Sequence, residues 1–232
     1  MKLKEKVHVL HKINHDIKTP LSVIKGYSEL ILEAKSIKTA RKYAKSLKNA
    51  CDVLETYIEE LSMITSVNRK KLTKNFKYFS LCEFIASIKM LVKFNIENKK
   101  QKITYLSNIN DKTKIYFDKR LLTKVILNLL TNSIKYTDEG GNIYFSIYVF
   151  IENNIQKLFI FIGDTGKGIK QENINNIFDP YFQENKNSDG IGLGLSITKE
   201  IIDYLKGKIE ITSYPNKGTF YRLEFNTLLL KS

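Results

Sequence analysis

Cysteine is nearly absent from this 232-residue chain: Cys51 and Cys82 are its only two, at a spacing that fits no metal-binding motif. One bridge is the most they could form, which excludes a disulfide-stapled scaffold and a structural zinc site and points to a reducing compartment. Arginine is scarce too. Of 38 basic side chains only Arg41, Arg69, Arg120 and Arg222 are guanidinium groups, so the net charge of +14 is almost wholly lysine. Groove readers and phosphate clamps favour the planar fork of arginine, so this diffuse excess argues against a nucleic-acid partner. No apolar run approaches the ~20 residues that cross a bilayer, and the charged Met1–Lys6 stretch has no signal-peptide core behind it. The chain as it stands reads as soluble and cytoplasmic, with a membrane involved only if it is part of a longer receptor. Internal repeats and low-complexity linkers are also missing.

What is present is enough apolar material, 43% of residues, for one large domain or two modest ones. Leu3, Val7, Leu10, Asn14, Ile17, Leu21, Ile24, Ser28 and Ile31 alternate in steps of four and three, the seam of a packed helix. A second frame runs Ala40, Ala44, Leu47, Cys51, Leu54, Ile58, Leu61, Thr65. The short polar connection from Glu33 to Thr39 predicts an antiparallel hairpin. One hairpin buries two such seams poorly, so a homodimer forming a four-helix bundle is expected. The charged stretch Asn68 to Lys77 marks a boundary, giving domains 1–67 and 68–232. Beyond it the periodicity predicts helices at Leu81–Asn98, Lys119–Lys135 and Leu195–Leu205. Strands are predicted at Lys102–Leu106, Lys114–Phe117, Asn142–Ile151, Lys157–Ile162, Lys208–Ser213 and Thr219–Phe225. The last four alternate apolar with polar residues, as in a sheet covered on one face. The fold class is therefore α+β: a helical hairpin followed by an α/β sandwich.

The residues suited to chemistry fall in a few clusters. Gly163, Gly166 and Gly168 surround Asp164, and Gly190, Gly192 and Gly194 lead into the helix pattern that begins at Leu195. A glycine-rich turn opening onto a helix offers N–H groups to phosphates, or is simply a strand-to-helix turn. Neither dinucleotide spacing nor a Gly-Lys-Ser/Thr P-loop is present. Asn128 and Asn132 lie at i and i+4 on one face of an otherwise apolar helix, with Lys135 and Tyr136 a turn later. Asparagine is a poor helix former, so the pair wants a reason. Amide oxygens can serve a Mg²⁺ that keeps most of its waters, and a lysine can meet a phosphate as a point charge. His15 flanks the seam in Asn14-His15-Asp16-Ile17-Lys18-Thr19-Pro20. Pro20 cannot donate to the Asp16 carbonyl, which predicts a kink that loosens the helix around His15. The rival is a helix starting there, with Thr19 as N-cap and Pro20 as first residue.

Taken together these clusters resemble the boxes of the sensor histidine kinases of two-component systems, across nearly the whole chain and in family order. HDIKTPL (His15 to Leu21) resembles the H-box and NLLTNSIKYT (Asn128 to Thr137) the N-box. DTGKG (Asp164 to Gly168) is similar to the G1-box, IFDPYF (Ile177 to Phe182) to the F-box and GIGLGL (Gly190 to Leu195) to the G2-box. The resemblance implies a dimerisation and phosphotransfer hairpin plus a Bergerat-type ATP-binding domain, with ATP and Mg²⁺ as cofactors. Asp164 would accept from the adenine amino group, with Gly166 and Gly168 allowing close approach. Asn132 would hold Mg²⁺, while Asn128, Lys135 and Tyr136 would contact phosphates or frame the pocket. Gly190, Gly192, Gly194 and Leu195 would border the triphosphate, Phe178 would order the lid, and Lys186 could reach a phosphate from it.

The resemblance also implies a reaction. Related ATPases carry a glutamate four residues before the Mg²⁺ asparagine to activate water; here Asn128 stands there and cannot act as a general base. That leaves the γ-phosphoryl group for a protein nucleophile. The imidazole of His15, with an ordinary pKa of about 6.5, is largely neutral near pH 7. Asp16 would fix its tautomer, as the orienting carboxylate of a hydrolase triad does. The expected partner is the receiver domain of a response regulator, and Thr19 sits where the family often orients water for dephosphorylating it. The alternatives are a phosphatase-dominant core and a non-catalytic dimeric scaffold that docks a regulator. Asp16 replaces the commoner Glu, Ser133 the commoner Ala, and the lid from Phe182 to Gly190 is short. No sensor segment precedes the H-box, so the expectation is an excised core or a small kinase that takes its signal from a partner.

Overall fold

A computed structural model describes the backbone of residues 3–68, 75–153, 155–184 and 192–228; within the hairpin, side chains are described for 17, 18, 20–51, 54 and 58. The residues group into two compact units, Met1–Lys71 with Pro180–Gly194, and Leu72–Asp179 with Leu195–Ser232.

In the first unit, α1 (Leu3–Leu32) and α2 (Ile37–Asn68) form the hairpin. α1 runs through Pro20 without interruption, so the start at Thr19–Pro20 does not occur. The connection is tighter than the polar stretch Glu33 to Thr39 suggests. Ser36 caps α2, its Oγ accepting from the Thr39 N–H at 3.1 Å, which draws Ile37 to Thr39 into the helix. Tyr27 and Tyr43 face each other across the hairpin at 5.9 Å. Leu21 and Ile58 of the two seams stay exposed on it, as does Leu30 beside the first seam, apolar surface that one hairpin leaves uncovered. No helix among the described residues is long and apolar enough to cross a membrane.

The second unit follows the alternation of its sequence. β1 (Lys77–Ser80) leads straight into α3 (Leu81–Asn98), which Ser80 caps by accepting from the Glu83 N–H at 3.3 Å. Then come β2 (Lys102–Ser107), β3 (Lys114–Phe117), α4 (Lys119–Tyr136), β4 (Asn142–Glu152), β5 (Ile155–Asp164), a 3₁₀ turn at Gln171–Asn173, α5 (Gly194–Tyr204), β6 (Lys208–Tyr214) and β7 (Gly218–Thr227). Five strands make one sheet in the order β2-β4-β5-β7-β6, parallel only between β2 and β4. β1 and β3 form a separate antiparallel pair.

Period-two burial is clear in the long strands. Ile143, Phe145 and Ile147 of β4, Leu158, Ile160 and Ile162 of β5, and Tyr221, Leu223 and Phe225 of β7 are buried on one face. The buried stripes of the helices complete the core: Phe84, Ile88 and Val92 from α3; Leu122, Val125, Ile126 and Leu129 from α4; Ile197 and Ile201 from α5. Burying a side chain of this size contributes roughly 1.5–3 kcal/mol, so a layered α/β domain is well supplied. β1 is the strand the sequence pattern missed. It begins at the last residue of the charged stretch, and its four residues show no in-out alternation.

Candidate functional site

α4 is the element that organises the site, and both of its ends are tied down. At its start Asp118, fully buried, accepts from the Leu121 N–H at 3.1 Å and from the Asn75 N–H at 2.9 Å. At its end the Lys99 ammonium donates to the carbonyls of Ile134, Lys135 and Thr137 at 2.8, 2.8 and 3.1 Å. Gln101 Nε2 adds bonds to Ile134 and Thr137 at 3.0 and 2.7 Å. A helix ends with unpaired carbonyls and a partial negative charge, and one cation with one amide satisfy both here. Neither Lys99 nor Gln101 carries a local signal in the sequence, because their partners lie more than thirty residues away.

Asp164 closes β5 on the covered face and is 9% exposed. Its Oδ1 accepts from the backbone N–H groups of Gly166 at 2.9 Å and Thr219 at 3.2 Å, and its Oδ2 from the Ser133 hydroxyl at 2.9 Å. Burial lifts its pKa above the ordinary carboxylate range, and the hydrogen bonds of Gly166, Ser133 and Thr219 pull the other way. The net object is a fixed acidic acceptor whose Oδ2 has one donor and room for a second. Ser133 and Thr219 are functional residues that the sequence pattern did not reveal; Ser133 showed only as a departure from the N-box.

The loop after Asp164 is shaped by the protein's own backbone. A Cβ on Gly166 would lie 2.4 Å from the Tyr136 carbonyl oxygen, and one on Gly168 1.9 Å from that of Tyr214. Gly168 also holds φ +66, a left-handed conformation that other residues resist. These two glycines therefore serve first to seat the loop on α4 and on the turn after β6. The Lys167 N–H donates to the Tyr136 carbonyl at 3.2 Å, and the Lys167 ammonium stands 4.6 Å from the centre of the Tyr136 ring. Lys135 is exposed, with its ammonium 5.3 Å from the same ring.

Asn128 and Asn132 sit one turn apart on α4, both half-buried. Asn128 Nδ2 donates to Thr198 Oγ1 of α5 at 2.7 Å, so its nitrogen ties two helices together. The Asn132 amide makes no hydrogen bond to any described residue. Phe178 is half-buried beside the buried Ile177. Gly194 and Leu195 open α5. Gly192, at φ +77, would bring a Cβ to 2.8 Å from the Phe182 carbonyl. The structure thus brings together Asp164, Gly166, Gly168, Tyr136 and the asparagine helix. Gly190 and Lys186 lie outside the described residues, as do the side chains of His15, Asp16 and Thr19, whose backbone belongs to α1.

These groups fit a purine nucleotide and a hydrated cation. The carboxylate of Asp164 is a preset acceptor for an exocyclic amino group, and the uncommitted Asn132 amide offers an oxygen to a metal that keeps its waters.

Two family sequence models match the chain. Residues 117–228 match the histidine kinase-, DNA gyrase B-, and HSP90-like ATPase family, and residues 5–69 match the His Kinase A (phospho-acceptor) domain. The chain belongs to the histidine kinase family. It is similar to the sensor histidine kinase WalK of Bacillus subtilis (strain 168), 26% identical over 223 residues covering 93% of this chain and 36% of WalK. Its fold is similar to that of the Acinetobacter baumannii histidine kinase AdeS, with a TM-score of 0.69 and 22% identity over 91% of this chain and 96% of that one. It is also similar to the histidine kinase ThkA in complex with the response regulator protein TrrA, with a TM-score of 0.64 and 23% identity over 96% of this chain and 63% of that one. The chain spans only 25% to 37% of the length of three curated relatives, two sensor kinases of Bacillus subtilis and a Vibrio kinase/phosphatase. As a histidine kinase it has a hairpin and an ATPase-type sheet domain in the family's order.

Proposed function

We propose that this histidine kinase core phosphorylates itself on His15 from ATP and passes the phosphoryl group to an aspartate on the receiver domain of a response regulator. The observation that carries the reading is Asp164, an acidic acceptor held by three donors beside an asparagine helix whose Asn132 amide is uncommitted. The likeness to ThkA, captured with a response regulator, supports the choice of partner.

Residues 1–67 serve as the phosphotransfer and dimerisation hairpin and 68–232 as the ATP-binding domain. Asp164 accepts from the adenine amino group. Tyr136, Lys135 and Asn128 frame the phosphate side, with Phe178, Gly190, Gly192, Gly194 and Leu195 bordering it. Asn132 holds Mg²⁺, which when bound neutralises developing charge on the phosphates. Asn128 has no basic oxygen with which to activate water, so hydrolysis is slow and the nucleophile is the protein's own. Asp16 binds one ring N–H of His15 and leaves the other nitrogen's lone pair for phosphorus. The N–P bond forms as the bond from the γ-phosphorus to the bridging oxygen breaks, and ADP leaves with the electron pair. The exposed Leu21, Leu30 and Ile58 support dimerisation through the hairpin. Thr19 orients water for the reverse duty, removing phosphate from the regulator. ATP supply places the reaction in the cytoplasm.

Transfer from the labelled core to each purified receiver domain of the source organism tests the reading. Rapid label transfer to one or a few receivers is expected. Labelling with no transfer to any receiver contradicts the partner assignment.

A further inference from the structure

α5 buries Ile197, Ile201 and Ile202, and among them stands Thr198, 1% exposed. Valine has the same shape and much the same helix propensity, so neither packing nor the helix calls for the hydroxyl. A hydroxyl removed from water costs free energy unless it finds a partner. The partner here is Asn128 of α4, whose Nδ2 donates to Thr198 Oγ1 at 2.7 Å. An amide carries its donors on the nitrogen and its acceptor on the oxygen, so holding one end settles which end is left over. Asn128 Oδ1 accepts from no described residue and is not among the buried oxygens that lack a partner, so it stands open to solvent. The asparagine face thus carries one amide held by the fold, Asn128, and one turn on a second, Asn132, that no described residue holds.

We infer that Thr198 is a positioning residue for the nucleotide site. Its hydroxyl keeps the Asn128 nitrogen on α5, so the end that Asn128 turns to the nucleotide is its oxygen. An oxygen there repels phosphate oxygens and suits a hydrated cation among them; turned over, the same amide would donate an N–H to a phosphate instead. Thr198 thus decides which partner Asn128 serves without touching either. The inference rests on the nucleotide reading above and deepens it by assigning what Asn128 recognises.

Thr198→Val keeps the shape and removes the hydroxyl, whereas Thr198→Ser keeps the hydroxyl. The full chain and both variants are titrated calorimetrically with ATP, once with Mg²⁺ and once with a chelator in its place. Thr198→Val is expected to lose about 2- to 12-fold in affinity with Mg²⁺, the range for one neutral hydrogen bond, and to lose nothing with the chelator. Thr198→Ser is expected to bind as the unaltered chain does. In an Asn128→Ala background Thr198→Val is expected to cost nothing further, because a residue that acts through Asn128 then has nothing to position. No loss with Mg²⁺ overturns the inference. So does a loss that is equal with the chelator, that serine does not restore, or that persists undiminished in Asn128→Ala. The hold itself is read without nucleotide, from the side-chain amide NMR signals of Asn128, located by their absence from Asn128→Ala. Thr198→Val is expected to shift them and to speed their exchange with water; signals left in place overturn the inference as well. If the unaltered chain binds no ATP, the nucleotide reading falls and this role with it. If it binds ATP and Thr198→Val fails any of these tests, only the role of Thr198 falls.

Discussion

Replacing Ser133 with alanine removes one donor from the Asp164 carboxylate and almost nothing else, because Ser133 is 1% exposed and alanine fits the same space. A hydrogen bond to a charged group contributes roughly 1.5–3 kcal/mol. For a domain of this size about 1 kcal/mol moves the melting temperature by 2–4 °C, so a fall of about 3–12 °C is expected at neutral pH. The pH dependence makes the test specific. Asp164 is lifted by burial, so the folded state binds its proton more readily than the unfolded chain does. Its contribution is present below the ordinary carboxylate pKa and lost as pH rises through the raised value. Ser133 opposes that loss by stabilising the ionised form, so its removal lifts Asp164 further. The penalty of Ser133→Ala is therefore greatest above the folded-state pKa and shrinks as the medium is acidified through it. Nucleotide affinity, which needs the ionised acceptor, falls on acidification in both proteins, starting at higher pH in the variant. Thermal unfolding and ATP titration across pH 4–8 measure both. A penalty that is the same at pH 4 and pH 7, or absent at pH 7, refutes the role given to Ser133.

Two further perturbations probe the frame around the site. Gly168→Ala forces a Cβ to 1.9 Å from the Tyr214 carbonyl at a left-handed φ, so strain of at least 1–3 kcal/mol is expected, read as a lowered denaturant midpoint. A midpoint equal to that of the unaltered chain would show that the loop is free to move. Lys99→Met leaves three carbonyls at the end of α4 without their cation, and a loss of about 1–3 kcal/mol is expected by the same measurement. Lys99→Arg should recover part of it; equal losses would place the effect in packing rather than in charge.

The sheet domain was legible because burial on one side imprints a period of two on β4, β5 and β7 and a helical period on α3 and α4. Heptad steps did the same for the hairpin. β1 escaped because four residues with no in-out alternation leave no pattern, and the tight turn before α2 escaped because Ser36 caps the helix through a local contact. The site divides in the same way. Asp164, the asparagine pair and the glycines stand in contiguous boxes that can be read along the chain. What holds them cannot. Ser133 and Thr219 reach Asp164 across 31 and 55 residues, and Lys99 reaches Ile134 across 35. Asn128 carried a signal as a polar residue on an apolar helix, yet its bond to Thr198 across 70 residues required the folded chain.

The central claim, that the γ-phosphoryl group of ATP moves to His15, is tested most directly by incubating the chain with Mg²⁺ and γ-labelled ATP and following the label through acid and base. Phosphate that is lost in acid, kept in base and absent from His15→Gln is expected. Label that survives acid, or that persists undiminished in His15→Gln, would contradict it.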